Sequence, residues 1–326
     1  MKHLKFFAAL CCAAAVLAAC DKTDEPANGG QNDNPNNPPV ENPDTVPAEN
    51  PDTLVTAEYT LTVLSADTTL GTVTGSGKYA AGTAVKVVAT PKRGFELASW
   101  SDTDAADTER EITLVSDSTI TASFGVASPG TANGHEYVDL GLSVKWATCN
   151  VGANVPPAYG DYYAWGETAT KADYSWYNYK YASDYKQLTK YCSDASYGKD
   201  GFTDGKTALD HADDAAAANW GGAWRMPTAD EWKELIDNCE WTWTALNGVN
   251  GYEVKSKANG NGIFLPAAGY RNGGILNDAG GIGNYWSGSL YAVRPGDAWD
   301  AYFGSYFVSR SSIFRTYGLS VRPVLE

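Results

Sequence analysis

Histidine is nearly absent from this 326-residue chain. It has three, and only His135 and His211 lie beyond the first twenty residues. A Ser-His-Asp site needs an imidazole beside its nucleophile. No paired zinc histidines, Gly-x-Ser-x-Gly elbow or Walker loop occur either. His211 sits among Asp210, Asp213 and Asp214 and reads as a surface residue near a helix start. Those carboxylates suit the positive end of a helix dipole better than a cation. Positive charge is also short: 24 Lys and Arg stand against 39 Asp and Glu, a net charge of −15. A polyanion needs Lys and Arg to displace its counterions, so nucleic acid is not an expected partner, nor is a polybasic contact with anionic lipid. Cysteine is sparse. Beyond the first twenty residues only Cys149, Cys192 and Cys239 occur, at spacings that match no zinc motif. Three thiols allow at most one internal disulfide, with three alternative pairings. No catalytic residue, metal site or cofactor is expected.

What is present begins with Lys2 and Lys5, followed by an apolar stretch from Phe6 to Leu17. A bilayer-spanning helix needs about 20 apolar residues, so this stretch has the length of a signal peptide. It ends in Leu17-Ala18-Ala19-Cys20. Small residues before a cysteine suit a peptidase that cuts there once the thiol is acylated, and the run resembles the lipobox of bacterial lipoproteins. The expectation is a signal peptide over 1–19 and a lipid on Cys20 that holds the chain on a membrane. Two or three acyl chains anchor stably where one binds only marginally. No second apolar run reaches spanning length.

Residues 20–56 are rich in Asn, Pro and acidic residues, and Glu41-Asn42-Pro43-Asp44-Thr45 recurs as Glu49-Asn50-Pro51-Asp52-Thr53. Such a segment buries too little apolar surface to offset its ordering entropy, so a disordered linker is expected. Its acidic start, Asp21, Asp24 and Glu25, resembles the export signal of Bacteroidetes-type lipoproteins. That resemblance implies an outer-membrane lipoprotein facing outward; a merely solvated linker is the alternative.

Residues 57–126 read as all-β. Tyr59 to Val63 and Ala84 to Val87 alternate, Ile112 to Leu114 and Thr119 to Phe124 are shorter runs, and Gly and Pro punctuate them. Gly71-Thr72-Val73-Thr74-Gly75-Ser76-Gly77, Tyr79-Ala80-Ala81-Gly82-Thr83, Gly94-Phe95 and Trp100-Ser101 resemble the divergent internalin B-type repeat, in one copy. The resemblance implies a small spacer or adhesion module, with Phe95 and Trp100 in its core. Asp102, Asp104 and Asp107 lack the glycine and bidentate Glu of an EF-hand loop and read as a solvated turn.

Residues 133–326 hold ten of the eleven tryptophans. Tyr137–Leu140 with Val144–Ala147, and Tyr252–Lys255 with Ile263–Leu265, read as strand pairs around Gly-rich turns. Thr228-Ala229-Asp230-Glu231 is a capping box, and Trp232, Leu235, Ile236 and Cys239 then fall on one helical face. A second helix is expected over Thr207–Asn219, with Leu209, Ala212 and Ala216 inward. Trp146-Ala147-Thr148-Cys149-Asn150-Val151-Gly152, Gly160-Asp161-Tyr162-Tyr163-Ala164-Trp165-Gly166-Glu167, Trp224-Arg225-Met226-Pro227, Leu265-Pro266-Ala267-Ala268-Gly269-Tyr270-Arg271, Tyr285-Trp286-Ser287 and Ser320-Val321-Arg322-Pro323 resemble the Fibrobacter succinogenes major paralogous domain. That family is similar to the C-type lectin-like fold shared with formylglycine-generating enzymes. The fold class implied is α+β: a C-type lectin-like head behind a small all-β repeat and a disordered linker.

The activities of those relatives do not carry over. No cysteine follows Cys239, so the late redox pair of a formylglycine-generating enzyme is missing. The Glu-Pro-Asn or Gln-Pro-Asp and Trp-Asn-Asp motifs of calcium-dependent sugar binding are missing too. The expectation is a non-catalytic surface head that recognises a glycan or a protein. The alternative is a structural or accessory subunit of an envelope assembly. The ligand-binding candidates are Tyr174, Trp176, Tyr177 and Tyr179 in an aromatic loop reaching Tyr185, together with Trp165, Arg271 and Trp286 from the family motifs. Flat rings give much contact area for little lost entropy. The loop rings either face a ligand or pack the loop onto its own domain, and the motif residues have a structural role as their alternative, with Arg271 in a buried ion pair.

Overall fold

A computed structural model describes residues 56–326; the expected signal peptide, the expected lipidation site Cys20 and all of the expected linker except its last residue lie outside the described residues. The first module is built from β1 (Glu58–Ser65), β2 (Gly71–Thr74), β3 (Gly77–Ala80), β4 (Ala84–Pro91), β5 (Phe95–Trp100), β6 (Glu109–Thr113) and β7 (Ser118–Val126). They form two sheets, ordered β3-β1-β7-β5 and β2-β4-β6. The alternation of β1, β4 and β7 turns Leu61, Val63, Val85, Val87, Ile120 and Ala122 into one shared core. Strands β1 and β7 run parallel, from Leu61 opposite Ser118 to Ser65 opposite Ala122. Trp100 is buried in that core as expected, while Phe95 is half-buried. Asp102 accepts hydrogen bonds from Arg110 at 2.5 and 2.6 Å, and that guanidinium lies 5.0 Å from the Trp100 ring. The acidic loop is thus an ion-paired turn.

The head contains β8 (Gly130–Ala132), β9 (His135–Val138), β10 (Lys145–Ala147), α1 (Ala215–Trp220), α2 (Ala229–Asn238), β11 (Cys239–Leu246), β12 (Val249–Ser256), β13 (Gly262–Pro266), β14 (Tyr270–Asn272), β15 (Ile275–Asn277), β16 (Ile282–Leu290), β17 (Asp297–Gly304), β18 (Phe307–Phe314) and β19 (Val324–Leu325). Its sheets are β19-β10-β9-β8, β11-β12-β13, β16-β17-β18 and the β14-β15 hairpin. Both expected strand pairs form, Val138 opposite Trp146 and Tyr252 opposite Leu265. Strand accounts for 45% of the structure and helix for 9%, so the α+β class is corrected to a mostly β architecture.

The helical content falls short at Thr207–Asn219. Ala208 bridges Ser289 as a strand residue, residues His211–Asp213 make a 3-10 turn, and α1 begins only at Ala215. Asp214 stops the helix there. Its carboxylate caps the amides of Ala216 and Ala217 and requires a non-helical backbone at its own position. Ala212 is exposed rather than inward.

Helix α2 starts where the capping box places it. Thr228 accepts from the Glu231 amide at 3.1 Å, and the Glu231 carboxylate accepts from the Thr228 amide at 2.7 Å. Replacing Thr228 with alanine is expected to cost about 1 kcal/mol, read as a lower urea midpoint at unchanged slope. Trp232 and Leu235 of this helix pack on Trp146, Tyr285 and Phe303 in one core, and a second gathers Trp165, Tyr179, Tyr191, Trp224 and Trp286.

Two amides join head and first module. Asn259 Nδ2 donates to the Gly94 and Asp139 carbonyls at 3.0 and 2.9 Å, and Asn261 Nδ2 donates to those of Ala127 and Asp139 at 2.9 and 3.0 Å. Gly94 has φ +80°, and a Cβ there would lie 2.3 Å from Asn259 Nδ2. Only glycine meets both demands. The three cysteines are free thiols, so none of the alternative pairings forms.

Candidate functional site

Of the aromatic-loop candidates, Tyr174 and Tyr179 are buried. The Tyr174 hydroxyl donates to the Tyr162 carbonyl at 2.5 Å and the Tyr179 hydroxyl to the Trp165 carbonyl at 2.7 Å. Burial pushes the Tyr179 phenol up to about 12, against the pull of Arg315. Trp165 and Trp286 are also buried, and their indole N–H groups donate to the carbonyls of Ser287 and Tyr163 at 2.8 and 2.7 Å. These four rings pack the interior and their polar atoms are engaged, which removes them from the surface a ligand can reach. The reason is local: each ring has a backbone carbonyl within reach inside the core, so its polar tip can be buried without loss.

Arg271 is half-buried, and its guanidinium lies 5.2 Å from the Tyr162 ring. Among the described residues it makes no ion pair, which corrects the buried-pair expectation. The buried arginines are Arg315 and Arg322, and both serve mainly backbone carbonyls. Trp176 is half-buried, and Tyr177 is 93% exposed.

Trp176 belongs to a larger arrangement that the chain order hides. Tyr197 meets Tyr185 at 5.3 Å between ring centroids, Tyr185 meets Trp176 at 5.7 Å and Phe314 at 5.4 Å, and Phe314 meets Tyr317 at 5.7 Å. Tyr317 then stacks on Tyr270 at 5.5 Å with only 12° between their planes. All six rings keep part of their surface in solvent. They form a continuous half-exposed strip drawn from the aromatic loop (Trp176, Tyr185), the stretch after it (Tyr197), the end of β18 and the turn beyond it (Phe314, Tyr317) and the start of β14 (Tyr270).

The strip ends at a pocket of about 210 Å³ that Tyr270 helps to line. Its floor is Asn284 on β16 and Asp300 on β17, both buried. Asn284 lies opposite Tyr302, and Asp300 lies opposite Trp286 and Ser311, so the two polar side chains share one face as diagonal neighbours. Asn284 Nδ2 donates to Asp300 Oδ2 at 2.7 Å. Among the described residues, Asn284 Oδ1 and Asp300 Oδ1 have no partner. Burial pushes the Asp300 carboxyl up to about 7, in spite of the Asn284 hydrogen bond, and the nearby Asp297 adds to the rise.

A family model for the divergent InlB B-repeat domain matches residues 59–128. No curated protein and no solved structure matches the chain. The InlB-type repeat thus covers β1 to β7, and the strip and pocket lie wholly in the head beyond it.

The Asp213–Asp214 pair is already engaged. Burial alone would raise the Asp213 carboxyl, but hydrogen bonds from Lys190, Tyr181, Tyr191 and Lys180 hold it well below the usual carboxylate range. Asp214 caps α1 and also accepts from the Met226 amide at 2.8 Å. His211 is exposed. Among the described residues no three His, Cys, Asp or Glu side chains gather as metal ligands. Sequence reasoning passed over Asp300 and Asn284. The available signal was an aspartate in the apolar run Ala298-Trp299-Asp300-Ala301-Tyr302-Phe303.

Proposed function

We propose that this chain is a lipid-anchored lipoprotein of the outer membrane, facing outward, whose head recognises a glycan without catalysis. Support for the anchor comes from Lys2, Lys5, the apolar run and Cys20. Support for a C-type lectin-like head is the ordered motif set of residues 133–326. The InlB-type repeat serves as a spacer beneath it. The observation that carries the binding reading is the strip from Tyr197 to Tyr270. Four of the five ring contacts are edge-to-face, with 69–89° between planes, so the strip offers alternating ring faces and edges, an apolar surface that suits the apolar faces of sugar rings or a protein anchor.

The test is binding of the full chain to a glycan array, with and without calcium. A specific hit is expected, and Tyr185→Ala with Tyr317→Ala is expected to weaken it at least about tenfold, a loss of about 1.4 kcal/mol. Circular dichroism of the variant separates lost binding from lost folding. A blank array from folded monomer sinks the glycan reading.

One observation favours the rival role of structural or accessory subunit. The turn residue Tyr306 is 97% exposed and Ile275 is 67% exposed. Two apolar hairpin tips suit burial against an envelope partner.

A further inference from the structure

The pocket floor is unusual in what it offers. Two buried oxygens, Asp300 Oδ1 and Asn284 Oδ1, have no partner among the described residues, and the two residues that carry them line the same space. A buried acceptor left without a donor is costly, and a buried carboxylate without a counter-charge more so. No lysine or arginine lines the pocket. Around Asp300 stand Asn284 on β16, Ser311 on β18, Asp297 on its own strand, and Asp278, Tyr270 and Tyr302 around the pocket; the cation at the edge, Arg294, is engaged by Asp297, to which its Nε donates at 2.7 Å, and reaches Ser312 Oγ only at 3.5 Å.

The geometry points to a binding site for a primary ammonium group carried by an amino sugar, held by Asp300 Oδ1 and Asn284 Oδ1. An ammonium has three donors and no acceptor. It satisfies both free oxygens and neutralises the carboxylate in one contact. A neutral hydroxyl supplies donors but no charge. A divalent cation such as calcium wants six to eight oxygens, and no cluster of three acidic, His or Cys ligands exists among the described residues. The carrier is read from the walls. Tyr270 and Tyr302 give flat faces, and Ser311 and Ser312 give hydroxyls that can pair with a sugar's own. A pocket of about 210 Å³ has room for one sugar unit and little more.

The pocket stands apart from the strip reading, because a free monosaccharide tests it without any glycan array. Calorimetry with the full chain compares glucosamine, N-acetylglucosamine, glucose and Nα-acetyl-lysine amide. Glucosamine is expected to bind at least about tenfold more tightly than the other three, and calcium is expected to make no difference. Asp300→Asn is expected to abolish the preference. The unsubstituted protein supplies a check that does not depend on a variant folding. With the Asp300 carboxyl at about 7, its ionised fraction rises about fiftyfold between about pH 5 and pH 7. Most of the sugar amine stays protonated over that range, so glucosamine affinity should climb by a similar factor.

Equal binding of glucose, a preference for the lysine derivative, dependence on calcium, or no pH dependence would each overturn the assignment. So would failure of glucosamine to bind at all. None of those outcomes bears on a polymer hit that is lost with Tyr185 and Tyr317.

Discussion

Arg315→Met is expected to destabilise the head by about 3–5 kcal/mol, enough to unfold a domain of ordinary stability. Arg315, one residue past β18, is fully buried and makes no ion pair among the described residues. Its Nε donates to the Tyr179 hydroxyl at 2.7 Å, and its other nitrogens donate to the carbonyls of Tyr191, Pro295 and Lys190, each at 2.9 Å. The rings of Trp165 and Tyr179 lie 5.2 Å from the guanidinium carbon. A methionine fills much of the volume but leaves three carbonyls without donors. Lysine is no substitute, since a point charge cannot reach the same set of acceptors at once. One partner, Tyr179, lies in the aromatic loop and two, Lys190 and Tyr191, lie just beyond it, so this stretch should loosen first. Urea unfolding followed by near-ultraviolet circular dichroism reads both effects. A variant within about 1 kcal/mol of the parent would refute this account of the loop.

Asp300→Asn should move stability in the opposite direction above neutral pH. The Asp300 carboxyl titrates at about 7 in the folded chain against an ordinary value of 3.8. A raised carboxylate favours the folded state while its proton is on. That contribution is complete at low pH and is lost as the pH rises from about 4 to about 7. At about 1.4 kcal/mol per pH unit, ionising the buried group costs up to roughly 4 kcal/mol by about pH 8. Asparagine has the same shape and no charge to bury. The variant should be more stable than the parent by roughly 2–4 kcal/mol near pH 8 and nearly equal to it near pH 4. Denaturant midpoints at the two pH values decide it. A variant less stable at both would mean that Asp300 is held by contacts other than those seen.

The sequence carried the strands and α2 because those signals are short-range. Alternation along β1 and β4 and the reciprocal bonds of Thr228 and Glu231 need only neighbours. The expected helix over Thr207–Asn219 failed because Asp214 used its carboxylate as a cap and ended the pattern from within. The direction of the aromatic rings was not legible. Whether Tyr179 faces the core depends on the Trp165 carbonyl and on Arg315, which is 136 residues away. The strip was hidden for the same reason, since Tyr185, Phe314 and Tyr270 come from separate stretches. The pocket left a fainter trace in the polar Asp300 within an apolar strand, a trace that periodicity cannot tell from an edge residue.

The InlB-type repeat has one further property. Its first strand, β1, and its last, β7, lie side by side and point the same way. Tension along the chain therefore enters at one end of that pair and leaves at the opposite end. The load slides one strand along the other instead of peeling them apart. The bonds from Leu61 to Ser65 share it and must yield together. An antiparallel pair pulled from adjoining ends would open one bond at a time. The repeat is arranged to stay folded under a drag that would unzip a simple hairpin.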